Sequence, residues 1–169
     1  MKKTGLEEVT MSIEKVRAFL APFGKADKIQ EFSVSSATVE LAALAVGVEG
    51  ARICKTLAFQ HKDGSCILIC AAGDGKVSNK AFKEFFGFKA KMMAHDQTAE
   101  MTGHAVGGVC PFALPDSVQV YCDESLLRFE TVFPAAGSSN SAVEMTPQEL
   151  YDISGAGAWV KVCDLPVSE

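Results

Sequence analysis

Seven consecutive residues, Cys66-Ile67-Leu68-Ile69-Cys70-Ala71-Ala72, limit the fold more than any other stretch of this chain. Side chains alternate from face to face along a strand, so a run that is apolar at every position belongs in a sheet covered on both sides. It is expected to be a central strand. The residues ahead of it supply a partner: Ile53 to His61 and Ser65 to Ala72 read as two strands joined near Asp63-Gly64, a strong hairpin signal. In the first of these, alternation puts Ile53, Lys55, Leu57 and Phe59 on one face and Cys54, Thr56 and Ala58 on the other. Lys55 therefore shares a side with three large apolar residues. Three readings stand for it: an inward charge protecting an edge strand, a cation whose head group reaches out to water, or a functional ammonium in a pocket wall.

The remaining pattern mixes helices with short strands. Ile13, Val16, Phe19 and Leu20 recur at helical spacing and predict a helix over 12–23, with Ser12 as its cap and Gly24 as its stop. A short strand over 28–33 follows, then an apolar helix over 39–46 that Thr38 or Ser36 caps and Gly47 ends. Phe82, Phe85, Phe86 and Phe88 give a helix from about Asn79 its apolar face. Strands are expected over 90–94, 118–122, 129–134, 142–145 and 159–163, with a helical turn over 96–101. Thr146-Pro147-Gln148-Glu149 has the form of a capping box opening a helix to about Ser154. Short strands of mixed order among helices indicate an α+β fold, and with no internal repeat or linker the 169 residues are expected to form one domain.

Charge and cysteine content narrow the function classes. A net charge of −5 argues against indiscriminate nucleic-acid binding, yet Lys76, Lys80, Lys83, Lys89 and Lys91 face only Glu84 across one short segment. That segment is either a phosphate-contacting surface or a solvated helix face. The six cysteines include no CxxC and no zinc-type spacing, and suit small buried hydrophobes in a reducing compartment. The start of the chain carries no signal-peptide apolar core and no apolar run approaches membrane-spanning length, so a cytoplasmic chain without membrane contact is expected.

One stretch follows neither period. Gly103-His104-Ala105-Val106-Gly107-Gly108-Val109-Cys110-Pro111-Phe112-Ala113-Leu114-Pro115 holds three glycines and two prolines, the composition of a shaped loop. Its peptide N–H groups can hold a carbonyl oxygen or a phosphate; the plainer reading is a tight connection between strands. Cys110 beside the glycines is a candidate thiol nucleophile, and His104 a candidate general base or a packing residue.

Taken together, Lys55-Thr56, the glycine loop, Phe129-Glu130-Thr131-Val132, and Ala136-Gly137 through Val143-Glu144-Met145-Thr146-Pro147-Gln148-Glu149-Leu150 resemble the YbaK/ProX family of aminoacyl-tRNA deacylases. These are the freestanding relatives of the editing domain of some bacterial prolyl-tRNA synthetases, and the likeness runs from about Ser33 onward. It implies a mixed, barrel-like sheet with flanking helices, and a trans-editing hydrolase that removes a small amino acid from mischarged tRNA, the tRNA for proline foremost. It implies no metal and no organic cofactor, a monomer or weak homodimer, aminoacyl-tRNA as partner and prolyl-tRNA synthetase as a further one. Lys55 would hold the terminal adenosine or its phosphate, while the N–H groups of Gly107 and Gly108 would stabilise the oxyanion. Ser36, Ala37, Thr38, Thr56, His104, Val106, Pro111, Phe112, Ala135, Gly137 and Asn140 are the substrate-binding candidates, and Lys76, Lys80 and Lys83 the tRNA contacts. Two positions depart from the family pattern. Ala113 stands where many members carry glycine, and Ala135 where the cysteine-specific members carry serine, which speaks against a cysteinyl ester. The other readings are an idle relative that only binds tRNA ends or a synthetase, and a thiol enzyme using Cys110.

Overall fold

A computed structural model describes residues 5–105 and 107–166 of the chain. Helix α1 is Gly5–Leu20 and continues into a 3-10 turn, Ala21–Phe23, ended by Gly24 at φ 72°. The helix thus starts well before Ser12, which lies inside it and caps nothing. Strand β1 is Ile29–Glu31. Helix α2, Val39–Val46, is capped by Thr38, whose hydroxyl accepts from the Leu41 N–H at 3.1 Å, and stops at Gly47, φ 85°. Of the two candidate caps, Thr38 is the one used.

Strands β2, Ile53–Gln60, and β3, Cys66–Ala72, form the expected antiparallel hairpin. Gly64 takes φ 86° in its turn and the Asp63 carboxylate accepts from the Ser65 N–H at 2.9 Å. Next come β4, Lys76–Val77, helix α3, Asn79–Phe86, helix α4, His95–Thr102, and β5, Gln119–Asp123. A 3-10 segment, Glu124–Arg128, leads to β6, Phe133–Pro134, and β7, Ser141–Val143. Helix α5, Pro147–Ser154, and the strands β8, Trp159–Val160, and β9, Cys163–Asp164, complete the fold.

The main sheet has the order β6-β2-β3-β5-β8, with β2 and β3 antiparallel and the other neighbours parallel; β1 pairs with β7 and β4 with β9. This is the expected α+β class. Five expected strands come out shorter, those over 28–33 and 142–145 shrinking to β1 and β7. The 90–94 strand is reduced to one bridge, Phe59 to Met92. The 129–134 strand keeps only Phe133–Pro134, with Val132 turned into a single bridge to Met145. The closing 159–163 strand splits, its first half pairing with β5 and its last residue opening β9 against β4.

β3 is central and buried along its whole length. Cys66, Leu68, Cys70 and Ala72 face Val16 and Leu20 of α1 and Leu150 and Ile153 of α5. Ile67 and Ile69 face Phe82 of α3, Phe59 and the closing residues Val160 and Val162. Helices on both faces therefore explain why no polar residue occurs in that run. Among the described residues no helix is long and apolar enough to cross a membrane.

The capping box at α5 is complete: the Thr146 hydroxyl accepts from the Glu149 N–H at 3.0 Å, and the Glu149 carboxylate accepts from the Thr146 N–H at 2.9 Å. The Lys25 ammonium at 2.6 Å, with that N–H bond, holds the Glu149 carboxyl below its usual range. Thr146→Ala is expected to cost about 1 kcal/mol, measured by urea denaturation, since one cap acceptor is lost and the buried α5 face is retained.

Candidate active site

β2 has an interrupted outer edge. β6 pairs with it only at Ile53 and Cys54, and the segment at Lys91–Met93 pairs with it only from Ala58 onward. The Met93 N–H donates to the Ala58 carbonyl at 3.0 Å and the Gln60 N–H to the Lys91 carbonyl at 2.8 Å, so even-numbered residues of β2 aim their main-chain groups outward. Thr56 is the even-numbered residue between the two neighbours. Among the described residues, neither its N–H nor its carbonyl takes a hydrogen bond, and its hydroxyl is buried without a partner. A cavity of about 280 Å³ lies against this gap.

Its walls come from five places in the chain: β2 itself, the Ser36-Ala37-Thr38 segment before α2, Met92, Met93, His95 and Thr98, the loop residues Gly107 and Val109, and Phe133, Ala135, Ser141 and Ala142. Of the sequence-derived candidates, Lys55, Thr56, Ser36, Ala37, Thr38, Gly107 and Ala135 are brought together here. Met93, Thr98, Ser141 and Ala142 carry no signal that a single sequence would flag; they enter the site only because the edge of β2 is open.

Lys55 lies on β2 next to the unpaired stretch of its outer edge. Its side chain points to the face shared with Leu57 and Phe59, where the ammonium donates to the Gly75 carbonyl in the turn between β3 and β4. The Asp74 carboxyl next to it is held below its usual range, chiefly by Arg128 at 2.6 Å and to a lesser degree by Lys55. The residue thus lines the cavity while its head group is tethered to the turn after β3. An ammonium has three donors, and this tether uses one.

The glycine loop turns at Gly107, φ 85°, and the Gly108 N–H donates to the Ala105 carbonyl at 2.9 Å. The Gly108 amide is therefore already committed and Gly108 is absent from the cavity wall. Val106 lies outside the described residues. His104 is 1% exposed, and its ring spans two elements: the Nε2–H donates to the Phe112 carbonyl at 2.7 Å, and Nδ1 accepts from the Ser12 hydroxyl of α1 at 2.6 Å. A carbonyl only accepts, so this pairing fixes the Nε2–H tautomer. Burial lowers the His104 pKa. It is a packing residue, out of reach of the cavity, and not the base. Phe112 is buried in the core and Pro111 faces a separate hollow beside Phe19, so neither touches the cavity. Cys110 is fully buried, which pushes its thiol up to about 12; its Sγ lies 3.5 Å from His104 Nε2, whose proton is turned to Phe112. That leaves the thiol protonated and without a base. Ala113 adopts φ 55°, the left-handed region, which accounts for glycine being the commoner residue there and costs about 1–2 kcal/mol for an L-residue.

Gly137 and Asn140 shape the site from behind it. A Cβ on Gly137, φ 98°, would sit 2.8 Å from the Ser12 carbonyl oxygen and 2.9 Å from Val16 Cγ2. The Asn140 side chain donates to the Phe32 carbonyl at 2.8 Å and accepts from the Ser138 hydroxyl at 2.9 Å, so it latches the 32–36 segment to this loop and is not free for a substrate. Lys76, Lys80 and Lys83 are exposed on the α3 side of the sheet and line no part of the cavity; among the described residues none of them forms an ion pair. Among the described residues no group of three or more histidine, cysteine or acidic side chains is placed to hold a metal ion.

Residues 34–153 match the family of aminoacyl-tRNA editing domains. The chain is 48% identical over 153 residues to the uncharacterized protein YwhH of Bacillus subtilis (strain 168), covering 90% of this chain and 98% of that one. A crystal structure described as a candidate trans-editing enzyme for prolyl-tRNA synthetase superimposes with a TM-score of 0.81 at 28% identity, over 90% of this chain and 97% of the other. The crystal structure of the hypothetical protein APE2540 does so with a TM-score of 0.79 at 28% identity, over 89% and 99% of the two chains.

The His104 pairing is testable through pH. The unfolded chain takes up the proton near pH 6.5, while the folded chain resists it to lower pH, so the contribution is fully present above that value and is lost as pH falls. The wild type should lose up to about 1.4 kcal/mol per pH unit through this group just below pH 6.5. His104→Gln should be less stable at pH 7.5 and show a shallower decline between pH 6.5 and 5 in denaturant titrations. Equal slopes would mean that the imidazole is not kept neutral by the fold.

Proposed function

The chain belongs to the family of aminoacyl-tRNA editing domains, and from that premise we propose that it is a trans-editing deacylase. It removes a small amino acid from mischarged tRNA, with the tRNA for proline as the first candidate and prolyl-tRNA synthetase as an associated partner in the cytoplasm. The observation that carries this reading is the single cavity in which Lys55, Gly107 and the small residues Ala37, Thr38 and Ala135 meet. At about 280 Å³ it lies at the lower end of small-molecule sites, which suits a small acyl group on a sugar. The family and the neighbouring structure described as a candidate trans-editing enzyme point the same way.

The chemistry asks little of the protein. A water oxygen attacks the ester carbonyl carbon, the bond from that carbon to the ribose oxygen breaks, and the proton lost by the water ends on the ribose oxygen. The products are a free amino acid and a tRNA with its terminal hydroxyl restored. An aminoacyl ester is already activated, so holding it and the water in register supplies much of the acceleration. The Lys55 ammonium, with two donors beyond its tether to Gly75, would hold a phosphate of the terminal adenosine. Exposed Lys76, Lys80 and Lys83 would meet the phosphates of the acceptor stem. The tether itself is the observation that favours an idle, binding-only relative, and a deacylation assay separates the two.

Lys55→Ala is expected to lower kcat/KM for deacylation by about 10²-fold with its melting temperature retained, because the ammonium holds only one main-chain carbonyl in the fold. Single-turnover assays on charged tRNA check this, and full activity would remove Lys55 from the mechanism. The double variant Lys80→Glu, Lys83→Glu should bind tRNA more weakly and lower the log–log salt slope by roughly two. An unchanged slope in binding titrations would return α3 to a solvated face.

A further inference from the structure

The gap in the β2 ladder is one residue wide. On one side the Cys54 position is paired with β6, on the other the Ala58 carbonyl is taken by Met93, and between them only Thr56 has both of its main-chain groups open among the described residues. Two main-chain groups of one residue, the N–H and the carbonyl, face this cavity without a protein partner among the described residues. More than nine in ten buried polar groups in folded proteins are hydrogen-bonded, so two unmet groups on one residue mark a place that a ligand completes. A partner strand is too long for the gap, because the ladder is occupied at both ends of it. A single amino-acid unit fits.

In the hydrogen-bonded pairs of an antiparallel ladder the two facing residues exchange both of their main-chain hydrogen bonds. An aminoacyl ester has the same N–Cα–C=O skeleton as a residue of a strand. Building on the deacylase reading, we infer that the aminoacyl group binds as a one-residue strand in the β2 gap, its α-ammonium donating to the Thr56 carbonyl and its ester carbonyl accepting from the Thr56 N–H. The ester carbonyl oxygen, where negative charge develops during attack by water, then rests on the Thr56 amide. The family likeness places the donor role on Gly107 and Gly108; the Gly108 amide is spent on Ala105, and this inference gives its place to β2. It also makes recognition of the α-ammonium independent of the amino-acid side chain, which the small cavity walls screen by size.

The test uses the intact chain and two kinds of change. A panel of charged tRNAs first identifies the amino acid removed fastest; its deamino analogue, propionyl-tRNA in the case of alanyl-tRNA, is then compared, each rate divided by that ester's spontaneous hydrolysis. The deamino ester should lose about 10²-fold of the acceleration, in line with removing a charge-assisted hydrogen bond. In parallel, the Thr56 N–H is replaced by oxygen through incorporation of the α-hydroxy acid with the same side chain. That chain should stay folded with a slightly lower melting temperature, since the N–H serves no bond in the fold while the Lys55 carbonyl, now part of an ester, accepts more weakly from Ala71, and it should lose about 10²-fold in kcat with little change in KM. Equal acceleration of both esters, or full kcat in the oxygen-substituted chain, overturns the inference and leaves the deacylase reading in place. A wild-type chain that hydrolyses none of the charged tRNAs overturns the deacylase reading and this one with it.

Discussion

The site depends on a contact between bare backbones. A Cβ on Gly108 would lie 2.8 Å from the Gly137 carbonyl carbon and from the Ser138 nitrogen and Cα, and a Cβ on Gly137 would lie 2.8 Å from the Ser12 carbonyl oxygen. Two loops far apart in sequence therefore press on each other and on α1 at distances that no side chain would allow. His104 reinforces the same junction by joining the Ser12 hydroxyl to the Phe112 carbonyl. α1 is thus the seat of both loops that wall the cavity.

That seat also explains the open edge of β2. The chain leaves the sheet after Pro134, and Ala136 and Gly137 drop into the core against α1. The ladder that would have covered Thr56 ends one step too early, and the Lys91–Met93 segment begins one step too late. An unmet buried polar group costs about 1–3 kcal/mol, so the arrangement gives up stability at the place where chemistry is done. The double-sided burial of β3 is what lets the fold tolerate that loss.

The charged groups divide along the same lines. Glu149 with Lys25, Asp74 with Arg128, and Arg52 with Glu144 tie elements together around the rim. The α3 lysines remain exposed on an otherwise acidic chain, and Lys55 sits between the two sets, its stem in the cavity wall and its ammonium on a main-chain carbonyl.

Local pattern was enough to read the β2–β3 hairpin, the faces of β2, the caps at Thr38 and Thr146 and the phenylalanine face of α3, because each depends on residues within a few positions of one another. It was also enough to bring Lys55, Thr56 and Gly107 forward through the family likeness. It misread Ser12 as a cap, and placed Phe112, Pro111, Gly137 and Asn140 among the binding residues, because their partners lie up to a hundred residues away. His104 shows the difference most clearly: a loop histidine beside glycines suits catalysis by its neighbours in sequence, and only its burial between α1 and Phe112 makes it a fixed strut. The open edge at Thr56 is visible in no residue at all, since a gap in a ladder is a relation among three separate segments. The sequence by itself determined which segments are strands and helices and which faces they bury; the tertiary structure alone decided which main-chain groups stay unpaired, because hydrogen-bond partners in a sheet are chosen across the chain and not along it.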